Sequence, residues 1–400
     1  MAAKKPKKNQ SLRNNEYYDT QNRFDELYQA SQQGKCFTQL MELITNEENI
    51  MLAYRSIKKN KGSKTKGTND STIIQMGEKN PDELIPYVRK RLQNFQPHAV
   101  RRVEIPKPDG RLRPLGIPTI EDRIIQQCIK QVLEPICEAK FHKHSYGFRP
   151  NRSAHHAIAR AMFLANRVHF HFVVDVDIKG FFDNVSHGKL LKQLWTLGIQ
   201  DKQLLCVLSR MLKAPIAGIG IPGKGVPQGG ILSPLLANVV LNELDWWISG
   251  QWETFPSRKQ YKDPMGRYRA LKSAGLKQVF IVRYADDFKL FCKTRGEAER
   301  IYIATQKWLM ERLGLEISPE KSKIVNLKKR WSDFLGFKLK LRPKSGKWVV
   351  KSQMTEKAFH KCKDTIRGAI RRIGKEPSTP SVMQFNATVL GLHNYYKAAT

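Results

Sequence analysis

The stretch Phe280-Ile281-Val282-Arg283-Tyr284-Ala285-Asp286-Asp287-Phe288-Lys289-Leu290-Phe291 reads as a hairpin, with strands at Val279 to Tyr284 and Phe288 to Phe291 around Ala285-Asp286-Asp287. Two adjacent carboxylates at an apolar tip raise each other's pKa unless a cation lies between them, and a divalent metal resolves that conflict. A solvated Asp-Asp turn is the ordinary alternative, because Asp is a common turn former. A second acidic segment shifts the balance. In Val173-Val174-Asp175-Val176-Asp177-Ile178 the period of two puts Val174, Val176 and Ile178 on one face and both aspartates on the other. Mg2+ takes oxygen ligands and leaves positions for water and substrate phosphate. Asp177 and Asp286 together would hold two ions about 3.5–4 Å apart, one activating a hydroxyl and one steadying a leaving pyrophosphate, which is nucleotidyl transfer.

Outward from these segments, apolar spacing alternates between helical and strand periods. Helical spacing runs from Phe37 to Ile57, Asp82 to Leu92, Ile120 to Ala139, Ile231 to Trp247 and Ala298 to Leu313. Ala99 to Pro118 reads as strand, turn and returning strand, broken by Pro106, Pro108-Asp109-Gly110 and Pro114. Short strands are expected at Phe172 to Ile178, Leu315 to Ile317 and Ile324, a hairpin-like region at Trp331 to Val350, and helix in the last fifty residues. Residues 1–35 read as a polar tail or a loosely docked helix, and Ser249 to Lys277 as a loop-rich insertion with seven basic residues.

The charge narrows the partners. There are 70 Lys+Arg against 36 Asp+Glu in 400 residues, a formal charge of +34. A self-repelling surface of this size is usually matched to a polyanion, nucleic acid first and anionic membrane second. With 40% apolar residues the chain has the material for packed cores, so it is no disordered basic tail. No apolar run reaches the roughly 20 residues of a membrane span, and the Lys-rich start has no apolar signal core, so a soluble intracellular protein is expected. The six cysteines lack CxxC pairs and zinc-finger spacing, and read as reduced thiols. Tyr54 to Gly67 carries six Lys/Arg and no acid, so Lys58, Lys59, Lys61 and Lys64 are candidate phosphate contacts.

The Tyr-Ala-Asp-Asp hairpin, Asp177-Ile-Lys-Gly-Phe-Phe-Asp183 and Gly225-Val-Pro-Gln-Gly-Gly-Ile-Leu-Ser-Pro-Leu-Leu-Ala-Asn238 together resemble the palm motifs of reverse transcriptases. More narrowly, Arg102-Val-Glu-Ile-Pro-Lys-Pro-Asp-Gly-Arg-Leu-Arg-Pro-Leu-Gly-Ile-Pro118 and His144-Ser-Tyr-Gly-Phe-Arg-Pro-Asn-Arg-Ser153 resemble the fingers of group II intron-encoded maturase reverse transcriptases. The resemblance runs from about Phe37 to the C-terminus. It implies an α+β right-hand polymerase, with fingers and an antiparallel palm sheet over 36–345 and the start of an α-helical thumb or maturase domain over 346–400. The family's DNA-binding and HNH nuclease parts have no counterpart here, so a truncated chain or a lineage without them is expected.

The resemblance also implies roles. Asp177 and Asp286 match the metal-binding acids and Asp287 the adjacent one. Asp175 is the rival for the first position, but the spacing to Phe182 favours Asp177. Phe182 falls where a ring excludes the 2′-hydroxyl, and its other reading is an ordinary core Phe. Lys107 and Arg113 match the triphosphate-binding pair. Gln228 would reach the nucleotide sugar, with Gly229 and Gly230 after Pro227 allowing close approach of template or nucleotide. Lys321 matches the lysine assisting pyrophosphate departure, with Lys323 as its rival. Arg149 and Gly336 would meet RNA and primer. Implied cofactors are two Mg2+ ions, with Mn2+ able to substitute. Implied partners are group II intron RNA, an RNA template with a DNA primer, dNTPs and a DNA target site, with no membrane. A bacterial cytoplasm is the expected setting, an organelle the alternative. Competing readings are a domesticated or defence-associated reverse transcriptase without an intron, and an RNA-binding splicing factor without polymerase activity.

Overall fold

A computed structural model describes residues 10–78, 81–106, 110, 112–166, 168–257 and 259–399. The chain forms two compact units. The first is Met1–His142, Gly180–Glu243 and Glu311–Leu315, and the second is Lys143–Lys179, Leu244–Met310 and Glu316–Thr400.

The first unit is built around helix Ile120–Glu138, started by the Thr119 side chain accepting the Asp122 N–H. Ile124, Ile125, Cys128, Ile129, Val132 and Leu133 are all buried, so this helix is apolar on most of its circumference and needs neighbours on several sides. Helices Gln21–Gln32 and Glu47–Lys59 supply them. Ser31 Oγ donates to the Ile136 carbonyl at 2.8 Å and Asn49 Nδ2 to that of Cys128 at 3.1 Å. Residues 10–32 are therefore docked helix, not a tail, because Leu27 and Ser31 lie one turn apart and are both buried. Strands β1 (Arg101–Pro106) and β2 (Leu112–Ile117) form the expected antiparallel hairpin, with Arg101 opposite Ile117 and Pro106 opposite Leu112.

The second unit holds the hairpin that carries Asp286 and Asp287. Strands β3 (Phe172–Val176), β4 (Val279–Tyr284), β5 (Asp287–Cys292) and β6 (Lys323–Asn326) make an antiparallel sheet in the order β4-β5-β3-β6. Helices Ala154–Asn166 and Arg295–Trp308 pack on it, the second opened by a capping box between Thr294 and Glu297. Val173, Val174, Ile281, Phe288, Leu290 and Phe291 are buried, so both faces of the central strands are covered. Each such side chain contributes on the order of 1.5–3 kcal/mol. A second antiparallel sheet follows: β7 (Ser332–Phe334), β8 (Phe337–Lys344) and β9 (Lys347–Met354).

Two expectations change. The β8–β9 hairpin crosses the boundary expected at 345/346, and helix begins only at Glu356, in Glu356–Lys375 and Thr379–Tyr396. Residues 249–277, expected as a loop-rich basic insertion, are anchored in part by buried and helical structure. Trp252 is fully buried and stacks on Tyr268, whose ring meets Phe280 edge-on, while helix Pro264–Ser273 occupies the second half. Apolar anchors among the charges hold the segment down.

Candidate active site

The β4–β5 connection is a two-residue turn, since Tyr284 pairs with Asp287 and only Ala285 and Asp286 lie between. Asp287 thus begins the strand instead of sitting in the loop. Ala285 has φ +57°, a left-handed conformation that costs a non-glycine residue about 1 kcal/mol or more. Arg283 holds the turn in that state. Its fully buried guanidinium donates to the Ala285 carbonyl at 2.8 Å and to both Asp245 oxygens at 2.7 and 2.6 Å. Burial pushes the Asp245 carboxyl up, while the Arg283 charge pulls it down. Gly147 completes the support: a Cβ there would lie 2.3 Å from the Ala285 nitrogen, so only glycine lets the 145–149 segment rest on the turn.

On β3, Val176 faces Phe288, so Asp177 and Asp287 are the next residues on each strand. Two aspartates that alternation put on one face have separate environments. Asp175 is buried, with Lys289 Nζ at 2.5 Å and Ser332 Oγ at 3.1 and 3.2 Å from its two oxygens. Asp177 lies beyond the end of the strand, 45% exposed at its side chain, with Lys321 Nζ 3.2 Å away. Its backbone is clamped: its N–H donates to Ser322 Oγ at 3.1 Å and its carbonyl accepts the Ser318 N–H at 2.8 Å. Lys321 thus meets Asp177, whereas Lys323 belongs to β6 with its Cα opposite that of Asp175. The Asp287 carboxyl is pushed up to about 6, first by the protein packed around it and then by the charges of Asp175, Asp286 and Asp177, against the pull of Lys289. Its residue surface remains exposed.

Among the described residues, no set of three or more His, Cys, Asp and Glu is grouped as a metal cage. The donor set still fits Mg2+, which is commonly held by one or two carboxylates plus substrate phosphates instead of an all-protein cage. The charges of Asp175, Asp286 and Asp177 add to the effect of burial in raising the Asp287 carboxyl, and a cation among them would relieve that part.

A cleft of about 760 Å3 in this unit is lined by Asp287, Asp333, Gly336, Lys361, Tyr395 and Tyr396, bringing an acid and the expected primer-contacting glycine together. Leu335 and Gly336 both take positive φ, 52° and 82°, in the two-residue β7–β8 turn. The Tyr395 hydroxyl donates to the Leu335 carbonyl at 2.9 Å. Arg149, expected at RNA, is 7% exposed and donates to the Ser145 carbonyl at 2.9 Å, so its guanidinium props the local backbone.

The other expected residues lie in the first unit. Phe182 is half-buried against Phe181, and its carbonyl accepts the Val226 N–H at 2.7 Å, which ties it to Pro227-Gln228. Gly116 donates to the Gln228 carbonyl at 2.6 Å. Gly229, at φ +115°, would place a Cβ 2.4 Å from the Gly116 oxygen, so the close approach it permits is that of β2 itself. The Pro227 carbonyl accepts Ser233 Oγ at 2.7 Å. A cavity of about 350 Å3 is lined by Gly116, Asp183, Val226, Pro227 and Gln228 among others. Arg113 is exposed on β2, and Lys107 lies outside the described residues. Lys58, Lys59 and Lys64 are exposed at the end of helix Glu47–Lys59 and in the turn Lys61–Lys64 that follows.

The Arg283–Asp245 and Lys289–Asp175 pairs were missed in the sequence. Arg283 and Lys289 are each a basic residue inside an apolar strand, which is the signal that could have called for buried acidic partners.

The sheet ends in neighbouring aspartates beside a lysine, and comparison with known proteins gives the class. The chain belongs to the reverse transcriptase (RNA-dependent DNA polymerase) family, whose profile matches residues 105–339. It is 34% identical to Protein YkfC of Escherichia coli, over 75% of this chain and 82% of that protein. It is 31% identical to the group II intron-encoded protein LtrA of Lactococcus lactis, over 76% of this chain and 57% of LtrA. With the putative COX1/OXI3 intron 2 protein of Saccharomyces cerevisiae it shares 26% identity, over 91% of this chain and 49% of that protein. The chain thus spans about half the length of these two intron proteins. Among the described residues, no helix is long and apolar enough to cross a membrane.

Proposed function

We propose that the chain copies RNA into DNA, adding dNTPs to a primer paired with an RNA template, and that it serves a group II intron RNA as a maturase. The observation that carries the polymerase reading is the gathering of Asp177, Asp286 and Asp287 at one end of the β4-β5-β3-β6 sheet, with Lys321 on Asp177. In this reading that sheet is the palm of a right-hand polymerase. The β1–β2 hairpin belongs to the fingers, and helices Glu356–Lys375 and Thr379–Tyr396 to the thumb.

Asp177 and Asp286 would hold divalent ions, Mg2+ first, with Asp287 as a neighbouring charge. Metal bound there supplies Lewis acidity to the attacking hydroxyl and neutralises charge on the departing pyrophosphate. Lys321, already within 3.2 Å of Asp177, is placed to donate a proton to that leaving group. Arg113, with Lys107, takes the triphosphate, and Phe182 and Gln228 take the nucleotide sugar. Lys58, Lys59, Lys61 and Lys64 contact RNA phosphates, and Gly336 admits the primer. Arg149 leaves the RNA-contacting set because its guanidinium is buried. The maturase part rests on the intron-encoded relatives and on the +34 charge, which suits a large structured RNA and a DNA target site.

Primer extension on an RNA template with Mg2+ and dNTPs, wild type beside Asp286→Ala, tests the reading. Extension by the wild type and none by the variant is expected. Equal extension by both would remove Asp286 from the site, and salt-sensitive RNA binding without extension would leave a binding protein.

A further inference from the structure

His187 is a buried imidazole, 7% exposed, at the first position of helix His187–Thr196. Its Nε2 lies 2.8 Å from the Gly225 carbonyl oxygen, 38 residues along the chain. A carbonyl only accepts, so Nε2 carries the proton and donates it.

This bond joins two others between the same segments. The Val226 N–H donates to the Phe182 carbonyl at 2.7 Å and the Gly225 N–H to that of Val185 at 2.8 Å. Of the three links, the one from His187 is made by a side chain. Gly225, at φ +100°, would place a Cβ 3.0 Å from the Asp183 oxygen, so the segments touch backbone to backbone. Gly225, Val226, Pro227 and Gln228 also border the cavity of about 350 Å3. Close packing cannot hold a segment where it borders a void, so hydrogen bonds decide where this one sits. Gly116 holds its Gln228 carbonyl and His187 its Gly225 carbonyl.

We infer that His187 is a positioning residue for sugar selection: it fixes the spacing between the Gln228 segment and Phe182, and so the width of the slot offered to the nucleotide sugar. This rests on the sugar-contacting roles proposed for Phe182 and Gln228. A ring excludes a 2′-hydroxyl only if the groups around it keep their separation, and a segment free to retreat into the cavity admits the extra oxygen.

His187→Leu keeps an apolar side chain there and leaves the Gly225 carbonyl unpaired, whereas His187→Gln restores an Nε2 donor of similar reach. The readout is the ratio of kcat/KM for a dNTP to that for the matching rNTP in primer extension. That ratio cancels the fraction of folded enzyme, so loss of stability alone leaves it unmoved. His187→Leu should lower it about tenfold, with KM for the dNTP raised and kcat at saturation little changed. His187→Gln should return it to near the wild-type value. A wild-type ratio in His187→Leu, or an equal fall in both variants, would overturn the inference. Phe182→Ala runs alongside: an unchanged ratio there removes the sugar role of Phe182, whereas a lowered ratio there beside a wild-type one in His187→Leu leaves that role standing and refutes the positioning by His187. If the wild type did not extend, the polymerase reading would fall. Retention of a labelled hybrid with a dideoxy-terminated primer in a gel shift, as dNTP or rNTP is raised, makes the same comparison without chemistry, and a wild type with no preference for dNTP there would overturn the inference too.

Discussion

Asp175 lies on β3 and Asp177 just beyond its end, and replacing each with asparagine should give opposite phenotypes. Asp175 and Lys289 have side chains 12% and 2% exposed, with Ser332 as a further partner. Breaking a buried pair from one side costs about 3–5 kcal/mol because the other charge is left without its counter-ion. Asparagine keeps an oxygen for Ser332 and Lys289, so the lower end, about 3 kcal/mol, is expected. That raises the unfolded population on the order of a hundredfold, a large share of a typical stability of about 5–15 kcal/mol. Asp177 and Lys321 are 45% and 42% exposed, and such a pair is worth at most about 1 kcal/mol. Urea unfolding followed by tryptophan fluorescence should therefore show a large fall in midpoint for Asp175→Asn and almost none for Asp177→Asn. Primer extension, run cold on folded protein, should reverse the order: retained in Asp175→Asn, lost in Asp177→Asn. A fully stable Asp175→Asn without extension, beside an active Asp177→Asn, would refute the assignment and make Asp175 the metal ligand.

Three other outcomes follow from particular contacts. Burial alone would raise the Glu253 carboxyl, but hydrogen bonds from His144 and Lys143 outweigh it and hold the pKa at about 2. Burial in turn pulls His144 down, so near neutral pH it is an uncharged donor and the full charges facing Glu253 are Lys143 and Arg160. A carboxyl lowered from 4.5 stabilises the fold above that pH and loses its contribution as pH falls towards 2. Glu253→Gln should therefore cost about 3 kcal/mol at pH 7 and progressively less below pH 4.5; an identical cost at pH 3 and pH 7 would sink this. Gly147→Ala drives a methyl into backbone at Ala285, so extension should drop at least tenfold with about 1–3 kcal/mol of stability, and normal extension would show that the turn does not need that support. Changing Lys58, Lys59 and Lys64 together to Gln should reduce the slope of log K against log salt for RNA binding by about 2–3, whereas an unchanged slope would place the phosphate contacts elsewhere.

The hairpin, the β1–β2 strands and the long apolar helices were legible because their signals are local. Alternating or helical apolar spacing and Asp or Gly at turns suffice for them. Long-range pairing was not. Alternation placed Asp175 and Asp177 on one face, but only the arrival of Lys289 and Ser332 from later segments separates a buried ion pair from an exposed acid. Arg149 was expected at RNA from the resemblance of its segment, and nothing local in that segment signals that its side chain is buried. Residues 249–277 carried a strong basic signal that hid Trp252 and Glu253, whose burial fixes the segment. Gly229 was expected to admit template or nucleotide, and the group that packs on it in the structure is the Gly116 carbonyl of β2.

The central claim is that the carboxylates at the end of β3 and the β4–β5 turn hold the divalent metal for nucleotide addition to a primer. Single-turnover incorporation of one dNTP on a saturating RNA template and DNA primer, titrated with Mg2+ from a chelated start, tests it most directly. The account predicts no incorporation without the ion, a rise steeper than first order in Mg2+, and none at any concentration for Asp286→Asn although it binds the hybrid. Incorporation by the wild type in excess chelator, or a wild-type Mg2+ response in Asp286→Asn, would contradict it.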